Sequence, residues 1–184
     1  MHKQIRRLTL AATLTALSVV IDVLFKQFVP ADMKNIFGLP FYAMPLIIGS
    51  MLLGPIYGVL MAITADFLAV LAAGDAYLPL FVIAAIWWGF LPGIINKNFK
   101  SFYMMLVTVL IAHLLATISN SLAILAYGFA EGEVLFWTTL VKVGLIPVNT
   151  FILSFIVYQI NLRLEPMYLD FTIKTYKTKK VNSR

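Results

Sequence analysis

The feature that most limits what this chain can become is a series of six apolar stretches, at 8–28, 39–53, 56–73, 80–95, 102–127 and 134–162, broken by glycine, proline and charge. A helix needs about 20 apolar residues to cross the ~30 Å hydrocarbon core of a bilayer, and in lipid the backbone must satisfy its own polar groups, which a helix does. The stretches therefore predict an all-α membrane protein, a bundle of six transmembrane helices. Those at 39–53 and 80–95 are short and are expected to tilt, kink or enter only partway. Gly54-Pro55 forces a tight turn between the second and third stretches, since proline lacks an amide proton and disfavours helix at the residue before it. Those two should form a hairpin.

Composition agrees. Hydrophobic residues make up 61% of the chain and charged ones 12%, against roughly 45–50% and 25% in soluble domains. Six crossings with short loops use up all 184 residues, so 1–184 reads as a single integral membrane domain, of which 165–184 is a basic cytoplasmic tail. The basic start leads into an apolar run too long for the h-region of a signal peptide, so that run is read as the first helix. Cysteine is absent, which removes disulfides, thiolate nucleophiles and thiolate metal sites. No metal site, redox chemistry or cofactor is expected.

The basic residues decide the expected orientation. Lys3, Arg6, Arg7, Lys97, Lys100, Arg163, Lys174, Lys177, Lys179, Lys180 and Arg184 fall on one side of a six-span bundle, and the positive-inside rule makes that side cytoplasmic. Both termini are then cytoplasmic. The opposite loops carry Asp32, Asp75, Glu131 and Glu133 with few basic residues. Because the positive charge sits in short juxtamembrane segments, it serves topology and anionic lipid rather than nucleic acid. The tail alternates aromatic and basic residues and is read either as a membrane-surface segment or as a solvated end.

Charge within hydrocarbon is costly, so polar residues inside the spans should face the bundle interior or a wet cavity. At about 1.5 Å of rise per residue, Asp22, Asp66 and Asn120 each lie some two turns below the outer end of their helices, and Lys142 lies a similar distance below the start of the sixth. Four polar groups from four helices share one depth. The inner half holds no comparable set, with His113 near mid-depth the nearest candidate. Convergence of the four would make a cavity open to the outside and closed to the cytoplasm. The alternative is that Asp22 pairs with Lys26 and Asp66 with Lys142, holding helices together.

Tyr42, Tyr77, Trp87, Trp88, Tyr127 and Trp137 fall in or near the same outer half. Trp137 and Tyr127 fit an interfacial belt, whereas Trp87 and Trp88 lie deeper, where a ring can stack on a flat ligand or pack against a helix. The connection 74–79, with Asp75 and Tyr77, is read as one wall of a pocket mouth, and the segment 29–38, with Lys34, as a lid. On the first helix Ala12 and Ala16 place small side chains on one face near the inner end, which lets another helix approach closely.

Taken together, the Ala12/Ala16 pair, the run 45–58 with its Gly54-Pro55 turn, Ala65-Asp66 and Gly74-Asp75-Ala76-Tyr77-Leu78-Pro79 resemble the substrate-binding S components of energy-coupling factor (ECF) type vitamin transporters, in particular the folate-like branch. The likeness covers nearly the whole chain. It implies a subunit of the plasma membrane, bacterial in origin, that captures a water-soluble vitamin in an outward-facing pocket. It implies docking on a transmembrane coupling subunit through Ala12 and Ala16, with ATP hydrolysed by two cytoplasmic ATPase subunits, and toppling of the loaded subunit in the membrane. No Walker motif is present in this chain.

Folate comes first on resemblance. Pantothenate, pyridoxine or a thiamine precursor are the next candidates, since Lys142, Asp66, Asn120 and Trp87 or Trp88 could hold any of them. The expected binding residues are thus Lys34, Tyr42, Asp66, Asp75, Tyr77, Trp87, Trp88, Asn120 and Lys142. An intramembrane enzyme would need a catalytic set that His113 with Thr117 and Asn120 does not complete. A small secondary transporter would show an internal repeat or a polar line through both membrane halves. Neither is visible, and no catalytic residue is assigned.

Overall fold

The computed structural model describes residues 2–28, 40–95 and 101–181, with side chains described for 4–25, 27–28, 40–95 and 101–164. Lys34 and the rest of the segment 29–38 lie outside the described residues, as do Lys97, Lys100 and the side chains of Lys26 and of the tail. Every regular element among the described residues is helical: α1 (His2–Phe28), α2 (Ala43–Leu53), α3 (Pro55–Ala73), α4 (Val82–Ile95), α5 (Phe102–Ala126) and α6 (Gly132–Val181), with a single 3-10 turn (Pro79–Phe81) leading into α4. The six helices correspond to the six apolar stretches. Four of them, α1, α3, α5 and α6, are long and apolar enough to cross a membrane on their own.

The hairpin of α2 and α3 turns at Gly54, whose φ of 99° few residues other than glycine adopt, and Pro55 occupies the first turn of α3, where its missing amide proton costs nothing. Along the hairpin Gly49 lies against Met61 and Ser50 against Gly58. That register puts the start of α2 near the level of Asp66. From there α3 continues to Ala73, about 10 Å further. On the other flank, Ser18 donates a 2.7 Å hydrogen bond to the Tyr42 carbonyl, and α1 runs on to Phe28, another ~15 Å. The 11 residues of α2 thus cover only about 16 Å, and its N-terminal end stops well short of its neighbours.

α2 is also the buried centre of the bundle, with Ala43, Leu46 and Ile47 fully enclosed by α1, α3, α4 and α6. Lipid is as apolar as leucine, so helices in a membrane are held by close packing rather than by hydrophobic burial. The chain supplies that packing with small residues. Gly58 on α3 and Gly89 on α4 meet backbone to backbone, so that a methyl group at either would run into the carbonyl oxygen of the other. Ala62 and Ala65 on α3, Ala84 and Ala85 on α4, and Ala112 and Ala116 on α5 are buried. The large side chains Leu60, Phe67, Ile118, Leu122, Phe151 and Phe155 point outward and remain exposed, as a lipid-facing coat must.

Three boundaries differ from the sequence expectation, the first being that α1 begins at His2 and not at 8. The second stretch becomes helical only at Ala43, after a turn in which Ala43 N–H donates to Pro40 O at 2.9 Å and Met44 N–H to Phe41 O at 3.1 Å. The last helix does not stop at 162 but continues to Val181. At 50 residues it is about 75 Å long, well beyond the ~40–45 Å of a bilayer with its headgroups. The tail is therefore a helical extension of the final span. Loss of apolar character marks where a helix leaves lipid, not where it ends.

Candidate functional site

The gap above the short α2 is a cavity of about 240 Å³ lined by Ser18, Asp22, Tyr42, Leu46, Ala62, Ala65, Asp66, Phe81, Ala84, Ala85 and Asn120. Its lining comes from α1, α2, α3, α4 with its leading turn, and α5, all at the end of the bundle away from the N-terminus. Leu46 and Tyr42 form the floor because they sit at the top of α2. Ala62, Ala65, Ala84 and Ala85 make the space, since larger residues on those two helices would close it. Asp22 lies one turn beyond Ser18 on the same face of α1, which brings both to the wall.

The polar groups around the floor are already partly committed. The Ser18 hydroxyl gives its proton to the Tyr42 carbonyl. The Trp88 indole is hydrogen-bonded to the Tyr42 hydroxyl, and Trp88 is itself 1% exposed, with its ring 5.3 Å from that of His113. His113 Nδ1 lies 3.4 Å from the Thr150 hydroxyl. A buried polar chain thus runs from the cavity floor through α4 and α5 to α6. His113 takes the place of a hydrogen-bonded core residue in it.

At the mouth, Phe81 lines the cavity and packs against Tyr127 at 5.9 Å and Phe129 at 6.5 Å, while the Leu80 N–H donates to the Tyr127 hydroxyl at 3.1 Å. Across from them Tyr77 stands edge-on to Phe67, 5.1 Å away. The Tyr77 phenol is held above the ordinary tyrosine range, first by its partial burial and then by the negative charge of Asp66 and by Tyr127.

Of the residues singled out from sequence, Tyr42, Asp66 and Asn120 come together in this cavity, with Asp22 beside them. The others lie elsewhere. Trp88 supports Tyr42 from behind. Trp87, 100° further round α4, donates its indole N–H to Ser119 at 3.0 Å and faces α5. Lys142 is half-buried on α6 and is not among the lining residues; Asp75 is exposed on the mouth loop. Lys34 lies outside the described residues. Sequence reasoning missed Ser18, Leu46, Phe81 and the four alanines. Ser18 was within reach, since it precedes Asp22 by four residues on one helical face. The alanines carried no signal, because space is a property of what faces them.

Ala12 and Ala16 are exposed on α1, whose opposite face buries Ala11, Thr15 and Ser18. Their neighbours Thr9 and Thr13 turn their hydroxyls back to the carbonyls of Ile5, at 3.0 Å, and Thr9, at 2.9 Å. Those hydroxyls are thereby satisfied, and Ile5, Leu8, Leu17 and Val20 are exposed on the same helix. The described residues contain no group of metal-binding side chains.

A family model described as "ECF transporter, substrate-specific component" matches residues 6–160. No curated protein and no solved structure matches the chain.

Proposed function

We propose, from the premise that this chain belongs to the family of ECF transporter substrate-specific components, that it captures a small water-soluble vitamin in the cavity above α2 and delivers it to the coupling machinery of an importer. The family is one of transporter subunits, not of enzymes, and with its apolar helices the chain is an integral membrane protein. The observation that carries the reading is the cavity itself. Ser18, Asp22, Tyr42, Asp66 and Asn120, from α1, the start of α2, α3 and α5, line one partly open cavity near one end of the bundle. Polar groups within membrane spans are costly and mark functional sites; these five converge on one cavity, as ligand contacts would, while buried polar residues such as Thr108, Asn149, Ser154 and Asn161 lie away from it.

In this reading the cavity faces the outside of a bacterial plasma membrane and both termini lie in the cytoplasm, an orientation that the distribution of lysine and arginine supports. The exposed Ala12 and Ala16 form the docking face for a transmembrane coupling subunit, and two cytoplasmic ATPase subunits supply the energy. The exposure of both alanines supports this. Tyr42, Asp66 and Asn120, with Asp22 and Ser18, are the proposed ligand contacts.

Binding by the purified full chain in detergent, without ATP, against a panel of B vitamins tests the proposal. A vitamin is expected to bind at nanomolar affinity and to lose that affinity in Asp66→Ala. Absent or only micromolar binding across the whole panel refutes it.

A further inference from the structure

We infer that Trp87 and Ser119 are positioning residues for ligand capture: one hydrogen bond between them, outside the cavity, fixes the rotation of α4 and α5 and thereby aims Tyr42 and Asn120 at the bound molecule. The inference rests on the vitamin-capture reading above and deepens it by adding two residues that act without touching the vitamin.

Neither residue lines the cavity, yet each is the sequence neighbour of one that serves it. Successive residues on a helix point about 100° apart. On α4, Trp87 turns to α5 and donates its indole N–H to the Ser119 hydroxyl at 3.0 Å, while Trp88 turns to α2 and is hydrogen-bonded to the Tyr42 hydroxyl. On α5, Ser119 turns to α4, and Asn120 turns to the cavity. The rotation that lets Trp87 reach Ser119 is therefore the same rotation that points Trp88 at Tyr42 and Asn120 at the ligand.

Both lining groups depend on that support. An indole N–H only donates, so the Tyr42 oxygen accepts from Trp88 and its own proton is left for a different acceptor; where that proton points is set by where Trp88 stands. Trp88 is buried with its ring against that of His113, so it moves only as α4 moves. Asn120 has no hydrogen-bond partner among the described residues, which leaves its aim to the rotation of α5. On its α3 side, α4 offers Gly89 against Gly58 and Ala62. Small residues of this kind let helices come close, but they carry no side chain that would index one helix against the other. The Trp87–Ser119 bond supplies the index on the α5 side.

The test is a pair of double-mutant cycles on the purified full chain. The unaltered chain is titrated with thiamine, riboflavin, pyridoxine, pantothenate, biotin and folate, and the tightest binder among them is titrated into Trp87→Phe, Ser119→Ala and the two combined, then into Asn120→Ala alone and combined with Trp87→Phe. Each of Trp87→Phe and Ser119→Ala is expected to weaken binding about three- to tenfold, the range of one neutral hydrogen bond. Together they should lose no more than about twofold beyond the larger single loss, because both remove the same bond. Asn120→Ala should cost at least about threefold less in Trp87→Phe than in the unaltered chain, a coupling that a merely structural role of Trp87 would not produce. Losses that multiply, an Asn120→Ala cost equal in both backgrounds, or single variants that lower Tm without changing affinity overturn the inference and leave the vitamin-capture reading standing. No binding of any of these vitamins to the unaltered chain removes both. Should Trp87→Phe not fold, Ser119→Ala with and without Asn120→Ala makes the same comparison.

Discussion

Replacing Gly58 by alanine tests whether the α3–α4 contact sets the bundle. A methyl group there would fall on the Gly89 carbonyl oxygen and lie 2.7 Å from both the Ser50 Cβ and its hydroxyl oxygen. Non-bonded heavy atoms sit at about 3.5–4.0 Å, so α3 must retreat by about 1 Å from Ser50 of α2 and by about 1.5 Å from the Gly89 carbonyl of α4. The obstructing atoms are backbone and a short side chain, so none can swing aside. Overpacking of this kind costs about 1–3 kcal/mol, and this site belongs at the upper end. The better helix propensity of alanine returns at most about 1 kcal/mol.

A net loss of about 2 kcal/mol lowers Tm by about 4–8 °C in a chain of this size. Gly49→Ala is the comparator. Its methyl group would press on the Met61 thioether, with the sulfur 2.8 Å away and Leu14 Cδ1 at 3.2 Å, and a methionine side chain can re-pack. That variant should stay within about 1 kcal/mol of the parent. Thermal unfolding of the purified proteins, followed by tryptophan fluorescence in detergent, compares the two. Equal shifts, or a Gly58→Ala protein that melts with the parent, would refute the argument that rigidity of the opposing atoms sets the cost. Because Ala62, Ala65 and Asp66 face Ala84 and Ala85 across the cavity, Gly58→Ala should also weaken ligand binding without touching the ligand.

Four further outcomes follow from the structure. Ser18→Ala removes the 2.7 Å hydrogen bond to the Tyr42 carbonyl and should cost about 1 kcal/mol of stability, together with ligand affinity measured by titration, since the floor loses its anchor. Ser154→Ala should be neutral or stabilising by up to about 1 kcal/mol in the same melting assay, because its buried hydroxyl has no hydrogen-bond partner. Trp88→Phe keeps most of the buried ring but loses the bond to Tyr42; a fall in affinity larger than the ~1 kcal/mol fall in stability is expected. Ala12→Trp, on the exposed face of α1, should leave vitamin binding intact and abolish uptake by the assembled transporter; uptake that survives would show that this face does not dock.

Much of the architecture was legible because depth in a membrane helix is simple arithmetic. Residue number times rise places Asp22, Asp66 and Asn120 at one level, and the apolar lengths and Gly54-Pro55 give the helices and their hairpin. Rotation about each helix axis is another matter. Lys142 was expected at the same depth, yet it is not among the residues that line the cavity. Trp87 and Trp88 cannot both face inward, and which one does depends on Ser119 of α5 and Tyr42 of α2, residues distant in sequence. The cavity's volume was not legible at all, because it arises from four alanines and from a helix that starts late. The continuation of α6 past 162 was missed because polarity ends a membrane span without ending a helix.

The late start of α2 has a consequence for how chains of this architecture can change cargo. The chamber is a missing length of helix, so its height is measured from Tyr42 upward. Each residue added ahead of Tyr42 in helical form would raise the platform by about 1.5 Å, and one extra turn by about 5.4 Å; removing a turn would deepen it by as much. Insertions and deletions at this single place would retune the dimensions of the chamber while every lipid-facing side chain and the surface of α1 stayed as they are.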